Sequence, residues 1–561
     1  MILKSAKLNL EENNKPSILI RFAFNYPDLE VVRSLPGRTY DSKNKTWAAP
    51  VNINNINALK KAGFQIDIEL EKLFQNKKQE SANIKQIEIP GLKGTLRPFQ
   101  NIGVSMIDYF IKQNRHGALL ADDMGTGKTI QSLAYLQLHP ELRPAIIVCP
   151  ASVKINWGRE AIKWLSPQPK VQILYTETPY KINGDIIIIN YNILHYWVET
   201  LKNIKAKIII LDECQKFKNN KAKQTKAVKQ LSKKIPYRIP TSGTPIENRP
   251  QEIYNAWYLV DPDNCPTYWE FCMKFCDAKN NGYGWDFSGA SNTQELHELL
   301  INSCMIRRLK KDVLSELPDK EYSFIPLEIN NEKEYRFAEN NFIKYITEKL
   351  FNVFSALNVS KQTAIEMSAN AVRKKLNAET FAKIEELKQL ASKGKLNQVI
   401  NWIEDFLESD EKLVVFAYHK FVIEALMNEF NKIAVKIDGS VTSMTERQKA
   451  IDNFQTDAKT KLMIISEAGS EGINLTAAHN IAIVEYPKTP GKLAQIIDRT
   501  HRIGQTEKVM VYFLMAVDTI EDKLAKILDK KLKVINSVLD GTETDSNSLI
   551  YELIEEYKRK I

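Results

Sequence analysis

One short segment constrains this chain more than any other: DDMGTGKT, from Asp122 to Thr129. It follows the apolar run GALLA and precedes the helical run IQSLAYLQL. A strand, a glycine-rich loop and a helix in that order turn backbone N–H groups inward at a helix N-terminus, where they hold a phosphate. Gly125 and Gly127 supply the backbone freedom for the turn, and Asp123, Met124 and Thr126 complete the loop. Lys128 is then placed to reach the β- and γ-phosphates of a nucleoside triphosphate, and Thr129 to ligate Mg²⁺. Asp122 stands where the general G-x-x-x-x-G-K-T pattern has its first glycine, so the reading leans on the order of elements as much as on the letters. ATP and Mg²⁺ are the expected ligands.

Such a site needs an acidic pair at the end of a neighbouring buried strand, and KIIILDECQ supplies one. Asp212 is assigned to the metal and Glu213 to polarising the attacking water. Alone, an Asp-Glu pair is as readily a solvated strand end; downstream of a phosphate loop it reads as catalytic. Short apolar runs (GALLA, AIIVC, DIIII, KIIILDE) alternate with helical stretches between about residues 90 and 245, the pattern of a buried parallel sheet. The rhythm returns between about 396 and 525 in KLVVFAYH, AVKIDGS, KLMIIS, NIAIVEY and VMVYFLMA.

The predicted fold class is α/β, with two parallel-sheet lobes, helical insertions between them and a small N-terminal α+β domain. The expected boundaries are 1–85 for the small domain, 86–250 and 396–540 for the lobes, 251–395 for the insertions and 541–561 for a tail. In the small domain SILIRFAFNYP reads as a strand, SLPGRTYDSKNKTW as hairpin material, INNINALKKAGF as a helix and QIDIEL as a strand. QNKKQESANIKQ reads as a linker.

A chain of 561 residues exceeds what one core supports, since cores stop growing near roughly 250–300 residues. Its hydrophobic fraction of 43% and charged fraction of 26% are those of a globular protein. No apolar run approaches the roughly 18 residues that span a membrane. The opening MILKSAKLNL lacks the order of a signal peptide. An intracellular, soluble protein is expected, in the cytoplasm or nucleoid of a bacterium or phage, or in a eukaryotic nucleus. Heavy use of Lys, Asn and Ile points to an AT-rich genome. The net charge of +10 favours a polyanionic partner. Six cysteines make no disulfide framework. Cys265, Cys272 and Cys276, with His297 and Cys304 downstream, contain no C-x-x-C pair. They are read as buried thiols, with zinc as the alternative.

Beyond the phosphate loop, several blocks resemble the Swi/Snf-type DNA translocases of helicase superfamily 2. DECQ is similar to the Asp-Glu-x-His/Gln box of that superfamily. LRPFQNIGV resembles its adenine-reading segment, which implies roles at the base for Arg97 and Gln100. IIVCPASVKINW resembles the block that touches the DNA backbone and implicates Ser152, Lys154 and Trp157. TSGTPIEN resembles the block that couples ATP state to lobe movement, implying coupling roles for Ser242 and Thr244, with Gln215 and Gln495. MIRRLKKDVLSELPDK, from Met305, resembles a signature of the family and places Arg307 and Lys310 among the DNA contacts; Lys218 and Asn219 match a further DNA position. SEAGSEGINL and QIIDRTHRIGQ resemble the last two motifs of the second lobe, implying Gly472 at the nucleotide and Arg499 and Arg502 as arginine fingers. ATP held by one lobe needs positive charge from the other in the transition state, so such an arrangement makes hydrolysis depend on closure.

The resemblance covers about residues 90–540 and implies two RecA-like lobes. Departures are Asp123 for the usual Glu, Gln215 for the usual His, and EYPKTPGK, where Lys488 and Thr489 replace a Trp-Asn pair. FCDAKNNGYGWDFSGASN resembles the annealing-helicase (HARP-type) branch, as does the order Leu35-Pro36, Tyr40-Asp41, Lys45, Trp47 and Pro50 in the small domain. Trp47 reads either as an exposed aromatic for branched DNA or as domain core. The lysine-rich stretch Lys216–Lys234 reads either as a phosphate track or as a solvated helix face.

The expected function is a monomeric DNA-dependent ATPase translocating on double-stranded or branched DNA, with single-stranded DNA as a further partner and no membrane. It would anneal strands or remodel forks without net unwinding. The alternatives are a remodeller that displaces proteins from DNA, an ATP-gated clamp with little turnover, and an RNA helicase. The tail YELIEEYKRKI reads as a solvated helix or a partner-binding segment.

Overall fold

The computed structural model describes residues 4–9, 16–42, 44–82, 84–280, 284–314, 316–318, 320–357, 378–441, 443–470, 472–524 and 539–540. The tail from residue 541 lies outside these. Among the described residues no helix is long and apolar enough to cross a membrane.

The N-terminal unit is a five-stranded sheet covered by helices. Ile18 and Ile20 point inward from Ser17–Arg21 and share a core with Val32, Ile56 and Leu59 from the helices Tyr26–Ser34 and Ile53–Lys61 and with Leu35, which caps the first helix. Both helices start where an asparagine side chain accepts a backbone N–H: Asn25 from Asp28, and Asn52 from Asn55. The strand expected in QIDIEL is cut to Gln65–Ile66, and the stretch read as a linker from Gln75 is helical as far as Ala82, the end of the helix Ile68–Ala82. Its Glu, Lys, Gln and Ala favour helix, and it contains no Gly or Pro to stop one. Trp47 is half-buried against the core, and its ring lies 4.8 Å from that of Tyr40, which is exposed. The unit docks on the first lobe through Arg38 with Glu270 (2.6 Å) and Asn52 with Asn264 (2.5 Å).

The first lobe is a seven-stranded, all-parallel sheet in the order Met305–Ile306, Leu119–Leu120, Tyr237–Thr241, Ile208–Asp212, Ala145–Cys149, Ile186–Asn190, Val171–Ile173. Helices on both faces bury the central strands, and Ile186 to Ile189 are wholly inaccessible. Each such side chain stabilises the lobe by about 1.5–3 kcal/mol. The second lobe is a six-stranded parallel sheet ordered Lys320–Leu327, Val509–Ala516, Asn480–Ile483, Leu413–Phe416, Leu462–Ile465, Ala434–Ile437.

These sheets redraw the expected boundaries. The segment 251–395 is not one insertion. Met305–Ile306 closes the first sheet, so the helices Tyr254–Val260, Tyr268–Phe275 and Thr293–Ser303 belong to the first lobe. Lys320–Leu327 forms an edge of the second sheet, so the long helices Glu332–Leu357 and Ala378–Leu407 belong to the second. Lys395, fully buried on the latter helix, fastens it by donating to the carbonyls of Val484 and Leu514 and to Glu521. The six cysteines are buried without disulfides, and Cys265, Cys272, Cys276 and Cys304 pack in the first-lobe core. Among the described residues no cluster of three or more His, Cys, Asp or Glu is arranged to hold a metal.

Candidate functional site

In parallel sheets, loops that bind ligands sit at the carboxyl ends of the strands. The phosphate loop follows Leu120, Asp212 ends its strand, and Thr241 ends the strand beside it. Gly127 adopts φ +86° before the helix Lys128–Leu138, a conformation that suits glycine, and Gln100 packs where a Cβ would otherwise sit. The Lys128 ammonium donates to the carbonyls of Asp122 (2.8 Å) and Asp123 (2.9 Å), and burial lowers its pKa. The Thr126 hydroxyl donates to the Asp123 carbonyl at 2.7 Å. Gln100 donates to the Thr126 carbonyl (2.9 Å) and accepts the Arg97 N–H (3.0 Å), while the partly exposed Arg97 guanidinium pairs with Glu316.

Asp122 has a structural reason to replace the first glycine of the loop pattern. Its carboxylate is wholly buried and held by Arg308, with Gln131 donating at 3.2 Å. A buried acid so paired fixes the loop to the signature segment far along the chain.

Asp212 accepts the indole N–H of Trp157 (2.8 Å) on one oxygen and the Thr241 hydroxyl (2.9 Å) on the other. Burial, reinforced by the neighbouring Glu213 charge, raises its pKa to about 6. Glu213 itself has φ +53°, a left-handed conformation that a non-glycine residue adopts at a cost. This kink turns the chain out of the strand and puts Glu213 on the cavity wall.

The second lobe completes that wall. Gly472, Arg499 and Arg502 face Lys128, Thr129, Asp212 and Glu213 across a cavity of about 300 Å³. Gly472 approaches Val153 so closely that a Cβ would lie 2.0 Å from its methyl group. Burial and the adjacent Arg499 push the Arg502 guanidinium down to about 9. Two enclosed cations opposite a phosphate loop favour an anion between them.

A hydrogen-bond chain joins the acidic pair to the second lobe. Gln215 donates to Glu213 (2.7 Å) and accepts from the Ser242 hydroxyl (2.7 Å). The Thr244 N–H donates to the Ser242 oxygen (3.0 Å). Gln495, from the second-lobe helix Pro490–Ile497, donates to the Thr244 hydroxyl (2.8 Å), and Lys492 donates to Gln495 (3.2 Å). The four residues assigned to coupling thus lie on one path between the lobes.

The residues assigned to DNA divide differently. Ser152 lines a separate groove of about 760 Å³ between the lobes, with Lys216, Tyr418, Lys420 and Lys492, and Asn219 is exposed. The other five have side chains committed elsewhere. Lys154 is buried and donates to Leu174 and Asn190 (both 2.9 Å); Trp157 is buried against Asp212. Lys218 pairs with Glu247 (2.5 Å) and Glu252 (3.1 Å). Arg307 is enclosed by Asp123 and Asp540 (2.9 Å each). Lys310 reaches across the lobes to Asp498 (2.9 Å) and the His501 carbonyl (2.7 Å). A phosphate would have to displace a protein partner from each of these five side chains. Lys488, at the position of the family's Trp, lies over the Tyr418 ring at 5.3 Å.

Residues 99–396 match the SNF2-related domain, and residues 394–504 match the helicase conserved C-terminal domain. The chain is 32% identical over 529 residues to the SWI/SNF-related matrix-associated actin-dependent regulator of chromatin subfamily A-like protein 1 of Xenopus laevis, covering 89% of this chain and 51% of the relative. Its Caenorhabditis elegans homolog is 29% identical, with 96% of this chain and 76% of the relative covered. The DNA annealing helicase and endonuclease ZRANB3 of Bos taurus is 30% identical, with 82% and 42% covered. The chain therefore spans about half the length of the Xenopus relative and less than half of the bovine one. The SNF2-related match alone takes in more than half of the chain, and the chain belongs to the SNF2-related family.

Proposed function

We propose that this chain is a DNA-dependent ATPase that translocates on duplex or branched DNA, annealing strands or remodelling forks without net unwinding. The observation that carries the reading is the composite cavity, with its loop lysine and acidic pair on one lobe and two enclosed arginines on the other. Neither lobe alone presents both the phosphate cradle and the cations that offset charge in the transition state.

The oxygen donors fit magnesium, with Thr129 and Asp212 as its protein ligands. The ion would neutralise charge on the β- and γ-phosphates. Lys128 binds the same phosphates, Glu213 orients and polarises the attacking water, and Arg499 and Arg502 stabilise charge on the transferred group. Gln215, Ser242, Thr244 and Gln495 transmit lobe position to Glu213.

DNA would lie along the groove lined by Ser152, Lys216 and Lys420, where lysines can track phosphates. The Tyr40–Trp47 pair gives the N-terminal unit an aromatic surface suited to stacking on unpaired bases. Two of the relatives are named as DNA annealing helicases or chromatin regulators, which supports the fork-remodelling reading and a place wherever DNA is kept, nucleoid or nucleus.

Triplex displacement and fork regression with wild type and Lys128→Ala test the proposal. The expected result is ATP-dependent displacement of a third strand and regression of a model fork, with no separation of a plain duplex and no activity in the variant. Turnover of ATP without movement on either substrate would refute it.

A further inference from the structure

Arg307 occupies an unusual junction. Its Nη1 donates to the carbonyls of Ala121 (2.8 Å) and Gly243 (3.2 Å), its Nη2 pairs with Asp123 (2.9 Å), and its Nε donates to Asp540 (2.9 Å). The side chain is 8% exposed, so every nitrogen is spent inside the protein. Asp123 belongs to the phosphate loop, Ala121 lies between that loop and the strand Leu119–Leu120, and Gly243 lies in the coupling segment. Asp540 comes from elsewhere: it lies beyond Val509–Ala516, the last strand of the second lobe. Beside it Leu539 is 2% exposed and belongs to the hydrophobic core of the first lobe. The chain that has finished building the second lobe is therefore anchored in the first, at the phosphate loop.

We propose that Asp540 is a positioning residue for the nucleotide site. It holds the Arg307 guanidinium in the orientation that ties the phosphate loop to the coupling segment. A buried guanidinium with two carboxylates on different sides is balanced between them. Without the Asp540 charge, Arg307 is drawn wholly toward Asp123, whose other oxygen already accepts the Lys310 N–H at 3.0 Å. The phosphate loop and the Gly243 carbonyl then lose their common donor. Since Asp540 follows the second lobe, anything that pulls this segment away would weaken nucleotide binding from a distance. The inference rests on the ATPase reading for its kinetic test and on nucleotide binding alone for its second.

The experiment compares wild type, Asp540→Asn, Asp540→Glu and Leu539→Ala in the full chain. Binding of a fluorescent ATP analogue is measured by anisotropy, and kcat and KM by steady-state ATPase. The expected result for Asp540→Asn is a roughly tenfold rise in KM and in the analogue's Kd, the scale set by losing a charge-assisted hydrogen bond. Its kcat should stay within about threefold, its melting temperature should fall less than that of Leu539→Ala, and Asp540→Glu should recover part of the loss. If Asp540→Asn binds nucleotide within twofold of wild type, the proposal is overturned. It is overturned equally if Asp540→Asn and Leu539→Ala lower melting temperature, kcat and affinity in parallel, since that marks mere docking. Should the wild type bind the analogue but turn over no ATP, the ATPase reading fails, and the binding comparison still decides the role of Asp540.

Discussion

Replacing Gln495 with alanine cuts the one hydrogen bond by which the coupling path described above crosses between the lobes. Gln495 is 1% exposed and Thr244 is 7% exposed, so water cannot readily replace the lost bond. The neutral bond contributes about 0.5–1.5 kcal/mol, and leaving a buried polar partner unsatisfied costs about 1–3 kcal/mol. The second figure applies here, so the closed arrangement should lose about 1–3 kcal/mol, which at 1.4 kcal/mol per decade is roughly a five- to hundredfold shift against closure. The phosphate loop is untouched. The Gln495→Ala variant should therefore bind nucleotide normally while its DNA-stimulated kcat falls by up to that factor. Gln495→Glu should retain more activity, because the Thr244 hydroxyl can donate to a carboxylate and Lys492 is close enough to pair with it. The assay is steady-state ATPase at saturating DNA alongside equilibrium binding of an ATP analogue. A stimulated kcat within threefold of wild type, or a loss of nucleotide affinity that explains the whole defect, would show that this contact does not couple the lobes.

Three further outcomes follow from the same geometry. Asp212 must be ionised to hold a cation, and burial raises its pKa to about 6 in the metal-free protein; Mg²⁺ affinity of the free protein should be full above that pH and decline as pH falls through it, and an affinity flat down to pH 5 contradicts the assignment. Arg308→Ala strands the buried Asp122 carboxylate; breaking such a pair costs about 3–5 kcal/mol, so the first-lobe unfolding transition should drop on the order of 10 °C in scanning calorimetry. Trp157→Phe removes the N–H that orients Asp212; ATPase should fall with and without DNA, whereas a change in DNA affinity alone would return Trp157 to the DNA interface.

The sheet strands were legible where burial on both faces makes them continuous apolar runs, as in AIIVC and KLMIIS. Four escaped for physical reasons. Tyr237–Thr241 carries an arginine and a proline, Met305–Ile306 and Val171–Ile173 are too short to show a period, and Lys320–Leu327 is an edge strand with one face in solvent. The missing edge strands also explain the misplaced boundaries, since helical composition does not reveal which sheet claims a helix. At the site, the phosphate loop and acidic pair are local in sequence and could be read directly. The roles of Trp157, Arg307 and Lys310 depend on partners distant in the chain, so a basic or aromatic residue in a DNA-like block gave no warning of its burial. Asp540 carried no sequence signal of any kind; only folding brings it to the phosphate loop.

On the proposed reading, ATP turnover depends on DNA closing the two lobes. The most direct measurement is steady-state ATPase with no nucleic acid, single-stranded DNA, duplex DNA, forked DNA and RNA, with Lys128→Ala as the blank. Strong stimulation by duplex or forked DNA, absent in the variant and weak with RNA, is the predicted result. Turnover that is independent of nucleic acid, selective for RNA or indifferent to Lys128 would contradict the account.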